Sequence, residues 1–319
     1  KSIREEYGIS NLCLAGGVAL NCVANGKILN EKIFDNIWIQ PAAGDAGGAL
    51  GAALSIWHLH HEKDRKVSSN RDAMNGSYLG PKFSDTEVKD ELDECGAVYT
   101  KLTSQKLIDV ISDALADEKA IGWMQGRMEF GPRALGARSI IADSRSPRMQ
   151  KQLNMKVKFR ESFRPFAPSV LREDVSEWFN HDKDSPYMLF VADVRENKRC
   201  EITSEDDALS GINKLNVPRS IVPAITHVDF SARLQTVHND TNPLFHALIS
   251  KFKEKTGCPI LVNTSFNVRG EPIICSPTDA YRCFMGTDID ILVVGNYLLY
   301  KEEQVKSLKK SYVEKYELD

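Results

Sequence analysis

"LCLAGGVALNCVANGKIL", residues 12–29, decides the fold class. A short apolar run at 12–15 stops at Gly16-Gly17 and gives way to apolar residues at the spacing of a buried helix. The same grammar returns in "NIWIQPAAGDAGGALGAALSIWHLHH", residues 36–61. There a strand at 36–40 meets a Pro-Gly-Asp loop and then a small-residue helix able to pack closely on a sheet. Strand–loop–helix twice in succession is an α/β pattern. Glycines at such turns leave bare backbone N–H groups at a helix start, a geometry suited to phosphate, or merely supply positive φ. Gly16, Gly17, Gly47 and Gly48 are therefore candidate nucleotide-binding positions, and loops at the ends of adjacent strands would face one cleft. Asp45 reads as a helix N-cap or as a carboxylate close to a metal or phosphate.

The 319 residues suggest two domains. With 42% hydrophobic and 27% charged residues, the composition is that of an ordinary globular protein that needs no disulfide or metal staple. The seven cysteines form no C-x-x-C pair and sit in apolar surroundings, which fits a reducing, cytoplasmic setting. No apolar run approaches the ~20 residues of a membrane span, so no membrane partner is expected. A net charge of −3 recruits no nucleic acid, and any basic site must be local. "KSIREEYGIS", residues 1–10, reads as a helix end leading into a strand, so the chain is expected to be part of a longer one.

The composition turns polar over residues 62–104, which places a domain boundary near residue 80, with 1–80 and 81–319 as the two parts. Ser84 is a helix cap, and "QKLIDVISDALADE" sets Leu107, Ile108, Ile111 and Leu115 on one face. Strands are expected at 119–124, 166–171, 187–194, 221–228, 258–264 and 289–295, and helices at 243–257 and 277–286. His227 and Asp229 would alternate with apolar residues on a strand. Residues 195–220 read as a mobile polar loop, and as a lid. The final 19 residues read as a solvated helix. His58, His60 and His61 end a helix and point to its last carbonyls, not to a metal.

The basic chemistry lies in three segments. "GRMEFGPRALGARSI", residues 126–140, interleaves Arg127, Arg133 and Arg138 with three glycines. "KQLNMKVKFRESFRPFAPSVL", residues 151–171, adds Lys151, Lys156, Lys158, Arg160 and Arg164. If 155–160 is extended, Lys156, Lys158 and Arg160 share a face and repel one another unless an anion sits among them. Phe159, Phe163 and Phe166 read as the buried alternation. "LVNTSFNVRGEPI", residues 261–273, offers Asn263, Thr264, Ser265 and Asn267 to a ligand, or to an Asx or ST turn.

These motifs, with "LAGGVALNCVANGKI" and "PAAGDAGGALGAAL", resemble the nodulation and antibiotic-tailoring O-carbamoyltransferase family over nearly the whole chain. The resemblance implies a truncated actin/hexokinase-like (ASKHA) α/β portion over 1–80, followed by a YrdC-like α/β domain with a twisted mixed sheet over 81–319. It implies an enzyme that combines carbamoyl phosphate with ATP into carbamoyl adenylate and passes the carbamoyl group to a hydroxyl of a small-molecule acceptor. Lys158-Phe159-Arg160 and Ser265-Phe266-Asn267 match the Lys-x-Arg and Ser-x-Asn pairs of YrdC-type domains, with Arg133, Arg138 and Arg164 supplying further charge. Magnesium would accompany the nucleotide. Asp45 matches the aspartate that binds a divalent, iron-type metal in the first domain. The family's His-x-x-x-His ligands have no counterpart among the seven histidines. Two other readings compete: a threonylcarbamoyl-adenylate synthase, and a non-catalytic RNA-binding module.

Overall fold

A computed structural model describes residues 1–67, 72–215 and 217–305. The first part carries α1 (Ser2–Tyr7), β1 (Asn11–Leu14), α2 (Cys22–Asn30), β2 (Asn36–Ile39) and α3 (Asp45–Ser55). β1 and β2 pair in parallel, from Asn11 opposite Asn36 to Leu14 opposite Ile39. The two glycine motifs thus do follow adjacent strands, as the repeated pattern requires.

The glycines themselves sit differently from expectation. Gly16, at φ 95°, is followed by a one-turn 3-10 helix at Gly17–Leu20, and α2 starts only at Cys22, capped by the Asn21 side chain. Gly47 and Gly48 lie inside α3, where a Cβ on Gly47 would stand 2.1 Å from the Ala42 carbonyl oxygen. That glycine serves a close backbone approach. Asp45 is the first residue of α3 and makes no side-chain cap; Gly44 holds the N-cap position.

The second part is an α/β layer on a nine-stranded mixed sheet. Its elements are α4 (Asp85–Glu94), β3 (Thr100–Lys101), α5 (Ser104–Ala116), β4 (Ile121–Met124), β5 (Arg138–Asp143), α6 (Met149–Lys156), β6 (Ala167–Leu171), α7 (Val175–Trp178), β7 (Phe190–Asp193), α8 (Ser204–Ala208), α9 (Gly211–Leu215), β8 (Ser231–Val237), α10 (Pro243–Thr256), β9 (Ile260–Ser265), α11 (Pro277–Gly286), β10 (Ile291–Val294) and β11 (Tyr297–Tyr300). The strand order is β3-β11-β10-β4-β5-β9-β6-β8-β7, with β4–β10 and β6–β8 parallel. Every residue of β4, β5 and β6 is buried, as a sheet covered on both faces demands. Ser84 closes a capping box on α4 with Glu87. The α5 face of Leu107, Ile108, Ile111 and Leu115 is buried and packs beside α10.

Four local expectations are corrected. Residues 149–156 form α6, so Lys156 ends a helix and shares no extended face with Lys158 and Arg160. Residues 221–228 contain a 3-10 turn at Pro223–Ile225; the strand starts at Ser231, and His227 and Asp229 stand in the turn before it. Phe166 is buried but Phe163 is exposed. Residues 195–220 hold helical turns at Glu196–Lys198, α8 and α9. Of the terminal segment expected to be helical, Lys301–Glu303 is a 3-10 turn and residues 306–319 lie outside the described residues.

The two parts are joined by apolar packing. Ala19, Ile39 and Ala43 cluster with Leu135, Ala167, Met188, Leu189 and Phe190. The buried Asn25 amide donates to the carbonyls of Ala19 (2.8 Å) and Leu189 (3.0 Å). Gly26 lets α2 lie against β7, since a Cβ there would stand 2.8 Å from the Val191 backbone oxygen.

Candidate anion-binding site

At this junction lies a cavity of about 330 Å³, with Cys22 and Val23 from the start of α2 on one side and residues of the nine-stranded sheet on the other. Arg133, Arg160 and Arg233 all line it, and no Asp or Glu does. Three guanidiniums facing one small volume without a carboxylate are held against their mutual repulsion, and an anion offsets that cost.

Each arginine arrives by a different route. Arg133 sits on the glycine-rich loop between β4 and β5. Two glycines fix that loop's path: a Cβ on Gly131 would press the Pro41 carbonyl oxygen at 3.0 Å, and one on Gly136, at φ 102°, would collide with the Phe245 ring at 2.4 Å. The loop is also tied from below. Glu129 Oε1 accepts backbone N–H bonds from Leu135 (2.6 Å), Ala137 (2.8 Å) and Arg138 (3.3 Å). Arg160 follows α6 after a left-handed turn at Phe159; its Nε donates to Asn154 Oδ1 at 2.6 Å, and its guanidinium stacks 5.1 Å from the Phe166 ring. Arg233 projects from β8 and lines the cavity together with Cys22. Burial draws the Arg160 guanidinium down to about 10, helped by Arg164. Burial and then Arg133 draw Arg233 down to about 10 as well.

A polar row across three strands forms the floor. Asn263 on β9 donates to Ser169 Oγ on β6 (3.0 Å) and Gln235 Oε1 on β8 (2.8 Å), and Gln235 Nε2 donates to the Leu135 carbonyl (2.7 Å). This leaves two lining groups unsatisfied: Asn263 Oδ1 and Arg133 Nε are buried and have no hydrogen-bond partner. A buried orphan polar atom costs about 1–3 kcal/mol, so both residues carry an unmet polar group beside the cavity.

Other expected site residues lie around this cavity. Ser265 lines it, together with Thr264. Lys158 stands behind the wall: its buried Nζ donates to Ser265 O (2.5 Å), Asn267 O (2.8 Å) and Asn267 Oδ1 (2.8 Å), and lies 3.2 Å from Ser265 Oγ. Burial draws its ammonium down to about 7, with Cys283 and Glu271 opposing and Arg160 adding to the fall. Arg138 is fully buried and points inward, donating to carbonyls of Cys275, Gln125, Gly126, Ala137 and Pro81. Arg164 is exposed and pairs with Glu161 at 3.2 Å. Arg127 caps the Gly80 carbonyl at 3.0 Å. Gly16, Gly17, Gly47, Gly48 and Asp45 line none of the described cavities. Among the described residues no group of three or more His, Cys, Asp and Glu gathers that could hold a metal, so Asp45 stands without partner ligands. His58 Nδ1 meets the Lys63 carbonyl at 2.7 Å.

Sequence reading missed Arg233, Glu129, Ser169 and Gln235. Arg233 sits in "FSARLQTV" as the one charged residue of its strand, which is the signal that was present. Glu129 carries no signal beyond its place in the glycine motif.

Two family models match the chain: carbamoyltransferase N-terminus over residues 1–54 and carbamoyltransferase C-terminus over residues 112–301. An uncharacterized protein of Synechocystis sp. is 57% identical over 100% of this chain and 52% of its own length. Nodulation protein NolO of Bradyrhizobium diazoefficiens is 45% identical over 93% of this chain and 50% of its own. The 3'-hydroxymethylcephem-O-carbamoyltransferase of Streptomyces clavuligerus is 32% identical over 89% of this chain and 48% of its own. The chain thus spans about half the length of these relatives. No helix among the described residues is long and apolar enough to cross a membrane. On the strength of both models and these relatives, the chain belongs to the carbamoyltransferase family.

Proposed function

We propose that the arginine cavity binds carbamoyl phosphate and ATP and forms carbamoyl adenylate, and that the carbamoyl group then passes to a hydroxyl of a small-molecule acceptor. The observation that carries this reading is the convergence of Arg133, Arg160 and Arg233 on a carboxylate-free cavity beside an unsatisfied Asn263. Residues 81–319 supply the YrdC-like, adenylate-forming part and residues 1–80 belong to the ASKHA-type transfer part.

The chemistry explains the charge. One water cleaves the carbamoyl–phosphate anhydride, releasing phosphate and leaving carbamate. A carbamate oxygen attacks the α-phosphorus of ATP, and pyrophosphate departs. An acceptor hydroxyl then attacks the carbamoyl carbon, loses its proton, and frees AMP. Both early steps bring polyanions together, so fixed guanidiniums that neutralise charge and set position supply most of the acceleration. Arg133 and Arg160 hold phosphoryl oxygens, with Arg233 as the third clamp. Ser265 and Asn267, fixed by Lys158, face the carbamoyl or nucleotide moiety, and Arg138 keeps the glycine loop in place from inside. Magnesium enters bound to the triphosphate. Asp45 is the chain's candidate contribution to a first-domain metal site, but the described residues do not complete one, and no step above uses it.

The test is carbamoyl phosphate-dependent exchange of pyrophosphate into ATP, alongside calorimetric titration of each ligand. Exchange is expected with carbamoyl phosphate and should fall sharply in Arg160→Ala. Exchange that requires threonine and bicarbonate instead would turn the reading to threonylcarbamoyl adenylate. Salt-sensitive duplex RNA binding with no nucleotide binding would end the enzymatic one.

A further inference from the structure

His227, left unassigned by the proposed chemistry, lines the arginine cavity from the turn before β8. Its Nδ1 lies 3.2 Å from Ser231 Oγ, and Ser231 Oγ lies 2.7 Å from Asp229 Oδ1. A serine hydroxyl has one proton to donate. The Asp229 carboxylate is an acceptor only and takes that proton. Ser231 Oγ must then accept from His227, so Nδ1 carries the hydrogen. The turn enforces this pairing, because the His227 backbone N–H donates to the Ser231 carbonyl at 2.9 Å and the Phe230 N–H to the His227 carbonyl at 3.0 Å. In the neutral ring Nε2 is then a bare acceptor, with no hydrogen-bond partner among the described residues. Burial lowers the imidazole pKa, the Asp229 carboxylate opposes this, and the nearby Arg233 guanidinium adds to the lowering.

A cavity built around guanidinium donors therefore contains an acceptor, His227 Nε2, that a fully ionised phosphoryl group cannot use. The dianionic phosphoryl group of an acyl phosphate offers this atom no proton, whereas a carbamoyl –NH2 offers N–H donors. We propose that His227 is a specificity-determining residue that accepts a hydrogen bond from the carbamoyl amino group, selecting carbamoyl phosphate over acyl phosphates of the same charge and shape. This rests on the reading of the cavity as the carbamoyl phosphate site.

Calorimetric titration of the full-length protein with carbamoyl phosphate, acetyl phosphate and inorganic phosphate tests it. Acetyl phosphate keeps the phosphate and the carbonyl and replaces –NH2 by methyl. A site built around a substrate N–H rejects the analogue lacking it, so the wild type should favour carbamoyl over acetyl phosphate by at least about tenfold. His227→Phe should remove most of that preference while leaving acetyl phosphate affinity within about twofold, because the anion clamp is untouched. His227→Gln, whose side-chain oxygen can accept, should recover part of it. Equal losses for all three ligands in His227→Phe, or a preference that survives it, overturns the assignment of His227 alone. Failure of the wild type to bind inorganic phosphate or carbamoyl phosphate overturns the cavity reading and this inference with it. Arg133→Ala, expected to weaken all three ligands together, separates the two cases.

Discussion

Two sets of cations lie within a short reach of one another and are treated in opposite ways by the fold. In the cavity, Arg133, Arg160 and Arg233 converge with no carboxylate among them. Behind the walls, Arg138 and Lys158 are buried and fully occupied, one by five backbone carbonyls, the other by the oxygens of Ser265 and Asn267. The first set holds an unmet electrostatic demand. The second set has met its demand internally and acts as scaffold. Residue type does not distinguish them, since Arg133 and Arg138 belong to one motif five positions apart in the sequence.

The sharpest way to break this comparison is to remove a scaffold cation. Arg138→Met removes a donor shared by five carbonyls, of which Ala137 and Pro81 keep a backbone N–H, and takes a positive charge from beside the buried Glu129 carboxylate. Loss of one partner from a buried charged network costs about 3–5 kcal/mol, so the thermal midpoint should fall steeply. An Arg138→Met protein that melts with the wild type would show that this arginine is not scaffold.

Removing a cavity cation should do the reverse. Arg160→Ala is expected to weaken carbamoyl phosphate or ATP binding by about 1.5–3 kcal/mol, the worth of a charge-assisted hydrogen bond. Its unliganded stability should move much less, since loss of the Asn154 bond and the Phe166 stack is offset by relief of a desolvated, repelled charge. A large fall in unliganded stability with unchanged ligand affinity would merge the two sets.

A further effect, gradual in pH, concerns Lys158. Its folded-state value of about 7 lies below the ordinary 10.5. Between those values the unfolded chain binds the extra proton, so stability contributed at this site is full above the unfolded value and is lost as pH falls towards the folded one. Relative to Lys158→Met, the wild type should therefore gain stability as pH rises through this window, with a limiting slope of about 1.4 kcal/mol per pH unit. Denaturant unfolding at several pH values measures it. Parallel curves would mean that the oxygens around Nζ keep the ammonium protonated throughout.

The molecule's two sheets differ in a related way. The nine-stranded sheet buries every residue of β4, β5 and β6, whereas α3 of the first part buries none. Val18, Trp57 and Leu59 are exposed on the same part. Strand-then-glycine sequence patterns were legible in both parts, yet they carry different weight. The glycines of 126–136 bend a loop over the sheet and deliver Arg133 to a cavity. Those of 16–17 and 47–48 shape turns and a close backbone contact.

The sequence alone determined the α/β class, the amphipathic face of α5, the Ser84 cap, most strands of the large sheet, and the three segments that carry the basic chemistry. These follow from local rules: hydrophobic period, capping, and glycine or proline punctuation. It also named Arg133, Arg160, Ser265 and Asn263, which line one cavity. Only the tertiary structure decided that Arg233 joins them, that Arg138 and Lys158 turn inward, that His227 sits in a turn and not on a strand, and that α2 of the first part closes the cavity. The physical reason is that a cation's role depends on which oxygens the fold brings within reach. Strands β5, β6, β8 and β9, remote in sequence, become neighbours only when the sheet forms.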